Sequence, residues 1–272
     1  QSEIHMSDHL AWVYAFTFLI HLINTLSYSV RIVGVRTGRI AASIALFNIF
    51  VLVARMAHAF QAPLLAKRAE GRLLADQAYD VVWEFRTLLV AATIGSVVGA
   101  LLSPTFRKLF ASYVNQFDSM RSVPRLLLHC ASKIGGSVVR ESLKPPSLAN
   151  IQYFRSLRDI PVKLALMNLL AISVLTAGVF ASLLAGYESP EVRATAVSLA
   201  PVVTGLATII LMVFIDPKLS ALTDDMLDGK ASPSYFYTCV ITMVVTHIGG
   251  TILAQVVLAP STDAIRFFAS AL

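Results

Sequence analysis

Six apolar runs divide the chain, near residues 10 to 30, 40 to 61, 86 to 103, 163 to 186, 194 to 215 and 235 to 258. Each stays apolar over its whole length instead of alternating with period two, which predicts helices and not barrel strands. A crossing needs about 20 apolar residues at about 1.5 Å of rise each, so every run can span a bilayer. Between the third and fourth runs the pattern changes. Phe106, Leu109, Phe110, Tyr113, Val114 and Phe117 recur at helical spacing, predicting an amphipathic helix along the inner membrane face. Val123 to Ser142 forms a second candidate, ended before Pro145 and Pro146. The expected fold is therefore an all-α polytopic membrane protein of six transmembrane helices, with amphipathic cytoplasmic helices between spans 3 and 4.

Composition agrees. Hydrophobic residues make up 56% of the 272, charged residues 14%, and the mean hydropathy is +0.71. A soluble domain carries about 25% charged residues. The net charge of +6 reports topology and contact with anionic phospholipids; no nucleic-acid partner is expected. Fifteen lysines and arginines fall on the first, third and fifth connections against six on the other side, which puts both termini outside the cytoplasm. Residues 1–5, QSEIH, look like what a cleaved tag leaves behind, so residues 6–272 are read as a single membrane domain with no cleavable signal peptide. Cys130 and Cys239 form no ligand cluster or disulfide framework.

The two halves, 10–103 and 163–258, joined by a cytoplasmic segment 104–162, share a frame at one fixed offset. Arg39, Phe60, Pro63, Leu65, Ile94 and Gly95 match Arg193, Phe214, Pro217, Leu219, Ile248 and Gly249, each pair 154 apart. Three spans per half would make these inverted three-helix repeats, an arrangement that often encloses a substrate path. Coincidence is the competing explanation, since apolar identities are frequent in so hydrophobic a chain.

Polar residues inside spans face a cavity or a partner, because an ionisable group there costs at least about 2.5 to 3.5 kcal/mol. His21, Asn24, Tyr28 and Arg31 share one face of span 1; Asn48, Arg55 and His58 share one face of span 2. Arg55 either snorkels outward or faces a cavity as a cation for an anionic ligand, and the second reading is preferred. Asn168 and Gln255 are expected in interhelical hydrogen bonds, and Gly95 with Gly99 in close helix packing. His247 stays open between structure and function. Asp216, before Pro217, is expected to cap or break span 5. DDMLD, Asp224 to Asp228, has the spacing by which some prenyltransferases hold magnesium and diphosphate, but without a second acidic motif it reads as a solvated helix end stopped by Gly229. No catalytic triad, HExxH or P-loop occurs, so no catalytic residue, metal or cofactor is expected.

The stretch Thr25 to Pro63 carries S-Y-S-x-R-x-x-G-x-R-T-G and L-F-N-x-x-x-L-x-x-R. It resembles the signature region of the Amj family, bacterial lipid II flippases that substitute for MurJ. The resemblance implies movement of an undecaprenyl-diphosphate-linked disaccharide-pentapeptide from the inner to the outer leaflet of the cytoplasmic membrane, for cell-wall synthesis. Arginine forks suit phosphate oxygens. Arg31, Arg36 and Arg39 would meet the diphosphate at the cytoplasmic face and Arg55 further across. His21, Asn24, Tyr28, Asn48 and His58 would offer hydrogen bonds to the head group. No carboxylate lies deep in a span, so membrane potential is the expected driving force, worth about 2.3 kcal/mol per charge per 100 mV. The alternatives are an enzyme acting on polyprenyl diphosphates, a non-catalytic scaffold of wall synthesis, and a small-solute transporter.

Overall fold

Apolar runs of this length close their backbone hydrogen bonds internally only as helices, and that is what the chain forms. A computed structural model describes residues 2–74, 78–120 and 160–272. Among these there is no strand. Six helical segments are long and apolar enough to cross a membrane: Leu10–Thr37, Ile40–Arg68, Val81–Asn115, Val162–Glu188, Pro190–Leu227 and Pro233–Ala271. The six expected spans are present, each longer than its apolar run.

The helices are α1 (Ser2–Thr37), α2 (Ile40–Leu74), α3 (Ala78–Met120), α4 (Val162–Glu188), α5 (Arg193–Ser198), α6 (Ala200–Ile209), α7 (Asp216–Leu227) and α8 (Pro233–Ala271). Helices α1 and α2 join through a two-residue turn. Gly38 takes φ 67° and donates its N–H to Val35 O, while Arg39 N donates to Gly34 O, satisfying carbonyls that the helix end leaves open. The turn brings Arg36 and Arg39 to one end of the bundle.

Two expectations on local structure are corrected. Phe106 to Phe117 is helical, yet it is no separate surface helix: α3 runs unbroken through Pro104 to Met120. Phe110 and Val114 are buried against Ile20, Ile23 and Phe47 of α1 and α2, because a ready apolar face was available beside the end of span 3. The other candidate, Val123 to Ser142, lies outside the described residues. Span 5, expected to be capped or broken at Asp216 and Pro217, instead runs on as helical backbone through that point and changes its winding along its length. A 3₁₀ turn (Pro190–Val192) leads into α5, Pro201 sits in the first turn of α6, and a π turn (Ile210–Ile215) precedes Pro217 in the first turn of α7. Proline lacks the N–H that a continuous ladder needs, and the wider π turn absorbs the mismatch. Asp216 does not cap α7; its carboxylate goes elsewhere.

The halves pack alike. Span 1 lies mainly against spans 3 and 2, which barely touch each other; span 4 lies in the same way against spans 6 and 5. A Cβ on Gly95 would come 2.4 Å from Phe18 O, and one on Gly250 would come 2.9 Å from Leu169 O and 2.8 Å from the Ile172 side chain. Glycine lets each pair of backbones approach that closely. Phe18 and Ile172 stand 154 apart, and Gly95 and Gly250, the glycines that meet them, 155 apart, one position off the common frame. Leu65 and Leu219 are both buried, Phe60 and Phe214 both exposed. Span 4 is the most enclosed, with 72% of its most apolar window buried, against 11% for span 5.

Candidate functional site

The shared face of span 1 turns inward. His21 is buried, Asn24, Tyr28 and Arg31 are half-buried, and together they form a seam between the two triplets. At its middle the Tyr28 hydroxyl donates to Asn168 Oδ1 at 3.1 Å, and Asn168 Nδ2 donates to Thr246 Oγ1 at 2.8 Å and Met243 O at 3.1 Å. Spans 1, 4 and 6 are thereby tied through one amide. The His247 ring sits 6.0 Å from that of His21 and 5.8 Å, edge-on, from that of Tyr28. Neither His247 nitrogen, nor His21 Nδ1, has a hydrogen-bond partner among the described residues.

Toward the other end of span 1, His21 and Asn24 line a pocket with Thr17, His58, Gln61 and Thr176. Gln61 Nε2 donates to Thr17 Oγ1 at 2.5 Å, closing span 2 on span 1. The space left is about 20 Å³, room for about one water molecule.

At the end opposite Gln61, Arg31 donates from Nη2 to Asp216 Oδ1 at 2.8 Å and from Nη1 to Ser220 Oγ at 3.1 Å. Its side chain is 15% exposed, that of Asp216 55%. Asp216 stands in the first turn of α7, directly after the π turn, and this places its carboxylate beside Arg31. Arg36 is exposed in the last turn of α1, and Arg39 Nη1 donates to Asn115 O at 3.4 Å across the gap between α2 and α3. Lys163 and Lys218 line a cleft of about 460 Å³ at the same end, with Asp225, Tyr235 and Cys239.

Of the nine residues named from sequence, the structure brings His21, Asn24 and His58 to one pocket and sets Tyr28 and Arg31 on the same seam. Asn48 and Arg55 do not join them. Both are exposed on span 2, whose neighbouring Ala54 and Ala57 face the core. Sequence reasoning missed the Asp216 partnership and the centrality of Asn168. Asp216 lies at the same end as Arg31 by span count, and that was the available signal. Asn168 and Gln255 do make interhelical bonds, Gln255 Nε2 donating to Arg86 O at 2.8 Å and Arg86 Nη1 returning to Gln255 O at 3.3 Å. DDMLD ends α7 before Gly229, whose φ is 71°, with Lys230 Nζ on Asp228 Oδ2. Among the described residues no three His, Cys, Asp or Glu side chains cluster as metal ligands.

Among the described residues, an all-helical bundle of six spans, packed as two triplets around a polar seam, defines a polytopic membrane protein. The sequence model of the family described as "Amj: Alternate to MurJ" matches residues 16–269, and the chain belongs to that family. The lipid II flippase Amj of Bacillus subtilis (strain 168) is a relative, 35% identical over 260 residues that cover 94% of each chain. No solved structure matches the fold.

Proposed function

We propose that the protein is a lipid II flippase, moving the undecaprenyl-diphosphate-linked peptidoglycan precursor from the inner to the outer leaflet, and not an enzyme. The observation that carries this reading is the relation to a lipid II flippase over 94% of the chain. The cytoplasmic membrane is the place of action, with both termini outside, as the distribution of lysine and arginine argues.

The mechanism follows from the seam. Arg31, Arg36 and Arg39 meet the diphosphate at the inner face, where a guanidinium forms two parallel hydrogen bonds to phosphate oxygens. Arg31 exchanges the Asp216 carboxylate for phosphate, which frees the contact between spans 1 and 5. His21, Asn24, Tyr28 and His58 then offer hydrogen bonds to the sugar and peptide, while Asn48 and Arg55 on span 2 turn toward the seam as it opens. With about 20 Å³ between spans 1, 2 and 4, the closed seam holds no head group, so the two inverted triplets must rock apart for passage.

The test is complementation of cells depleted of their other lipid II flippase, with Arg31→Gln, Arg39→Gln and Arg55→Gln alongside the unaltered chain. Survival with the unaltered chain and its loss with the arginine variants is expected. If the chain never sustains growth, the flippase reading fails; if all three variants rescue fully, the arginine roles fail.

A further inference from the structure

The contact between α2 and α3 is slight, and the gap they leave is an apolar groove of about 390 Å³ floored by Leu22 and Ile23 of α1. Its walls are Phe47, Phe50 and Val53 on one side and Phe106 and Phe110 on the other. The size is within the range of about 300 to 1,000 Å³ that small-molecule sites occupy. The phenylalanines form a continuous aromatic lining: ring centroids are 5.0 Å apart for Phe106 and Phe110, 6.0 Å for Phe50 and Phe110, and 6.3 Å for Phe50 and both Phe47 and Phe106. The groove opens sideways, where Phe50 is 40% and Val53 46% exposed.

A cation stands at one end of this gap. Arg39 immediately precedes α2 and bridges to Asn115 O on α3, and Asn115 lies five residues, about 7.5 Å of helix rise, beyond Phe110. The gap thus carries Arg39 at one end and an apolar lining beyond it, the polarity of a lipid with an anionic head and an apolar tail.

We infer that the groove between α2 and α3 is the binding site for the polyprenyl tail of the substrate, holding the first isoprene units while Arg39 meets the diphosphate. The inference rests on the flippase reading. The tail stays in contact with lipid through the lateral opening, and only the head group crosses the seam.

The experiment measures flipping of the undecaprenyl substrate in vesicles of phosphatidylethanolamine and phosphatidylglycerol containing the full chain. Val53→Trp and, as a second variant, Leu109→Trp fill the groove from opposite walls. Either is expected to slow flipping by about tenfold or more, while Leu52→Trp, exposed on α2 outside the groove, stays within about twofold of the unaltered chain. A photoreactive group in the first isoprene units of an undecaprenyl diphosphate probe is expected to label the unaltered protein within Phe106 to Tyr113. Unchanged flipping in both groove variants, equal loss with Leu52→Trp, labelling elsewhere, or displacement of the probe by phosphatidylglycerol as readily as by undecaprenyl phosphate would overturn the groove assignment alone. Failure of the unaltered chain to flip the substrate would instead remove the flippase reading.

Discussion

Asn168 holds more of the polar interior than any other side chain described, and it does so because an amide can donate and accept at once. Its Oδ1 takes the Tyr28 hydroxyl and its Nδ2 serves span 6. In a bilayer such bonds are worth about 0.6 kcal/mol on average, with a maximum of about 1.7. Tyr28→Phe should therefore lower unfolding stability in detergent by about 0.6 kcal/mol and Asn168→Leu by about twice that. His247 is the contrast. With both ring nitrogens unpartnered among the described residues, His247→Leu should leave stability unchanged or raise it, since a buried polar group without a partner costs free energy. A marked loss of stability in that variant would mean that the ring has a hydrogen-bonded role this structure does not contain.

At the scale of elements, backbone approach decides. Gly95 faces the Phe18 carbonyl at a distance no Cβ tolerates, while Gly205 on α6 has nothing within 4 Å of the same position. Gly95→Ala should destabilise the protein by about 1 to 3 kcal/mol, as overpacking does. Gly205→Ala should stabilise it by up to about 1 kcal/mol through helix propensity. Thermal unfolding of the two variants in the same detergent checks the pair, and equal effects would contradict the packing account. The change of winding along span 5 belongs here too. Pro201 and Pro217 were visible in the sequence, but the π turn between them depends on how the segment settles against span 4.

For the whole molecule, the halves meet along spans 3 and 6 and through the Arg31 to Asp216 ion pair. If that pair is a releasable latch, Arg31→Ala and Asp216→Ala should be non-additive, with the double variant closer to the unaltered protein than the singles predict. A double-mutant cycle on thermal stability reads this. Because Asp216 is half exposed, the coupling should be no more than about 1 kcal/mol. A second prediction concerns energy. With no carboxylate deep in a described span, an inside-negative potential of 100 mV should accelerate outward flipping in vesicles, where each charge moved is worth about 2.3 kcal/mol. A pH gradient at zero potential that drives flipping would reverse that expectation.

The number of crossings, their helical nature and the gathering of Arg31, Arg36 and Arg39 toward one end of the bundle were legible in the chain alone, because bilayer thickness and backbone hydrogen bonding leave few solutions for runs this apolar. The span 1 face was legible for the same reason: helical period fixes which residues lie together on one element. What partnered that face was not. Asp216 reaching Arg31, Asn168 reaching Tyr28, the close approach at Gly95 and the burial of Phe110 against α1 join residues far apart in sequence, and periodicity carries no information about which face meets which. Arg55 shows the limit most plainly, since its register with Asn48 and His58 was readable while its exposure was decided by how span 2 leans on its neighbours. The sequence by itself determined a six-helix membrane protein with arginines gathered at one end of the bundle. Tertiary packing alone decided that the polar seam is closed and that an aromatic groove opens beside it.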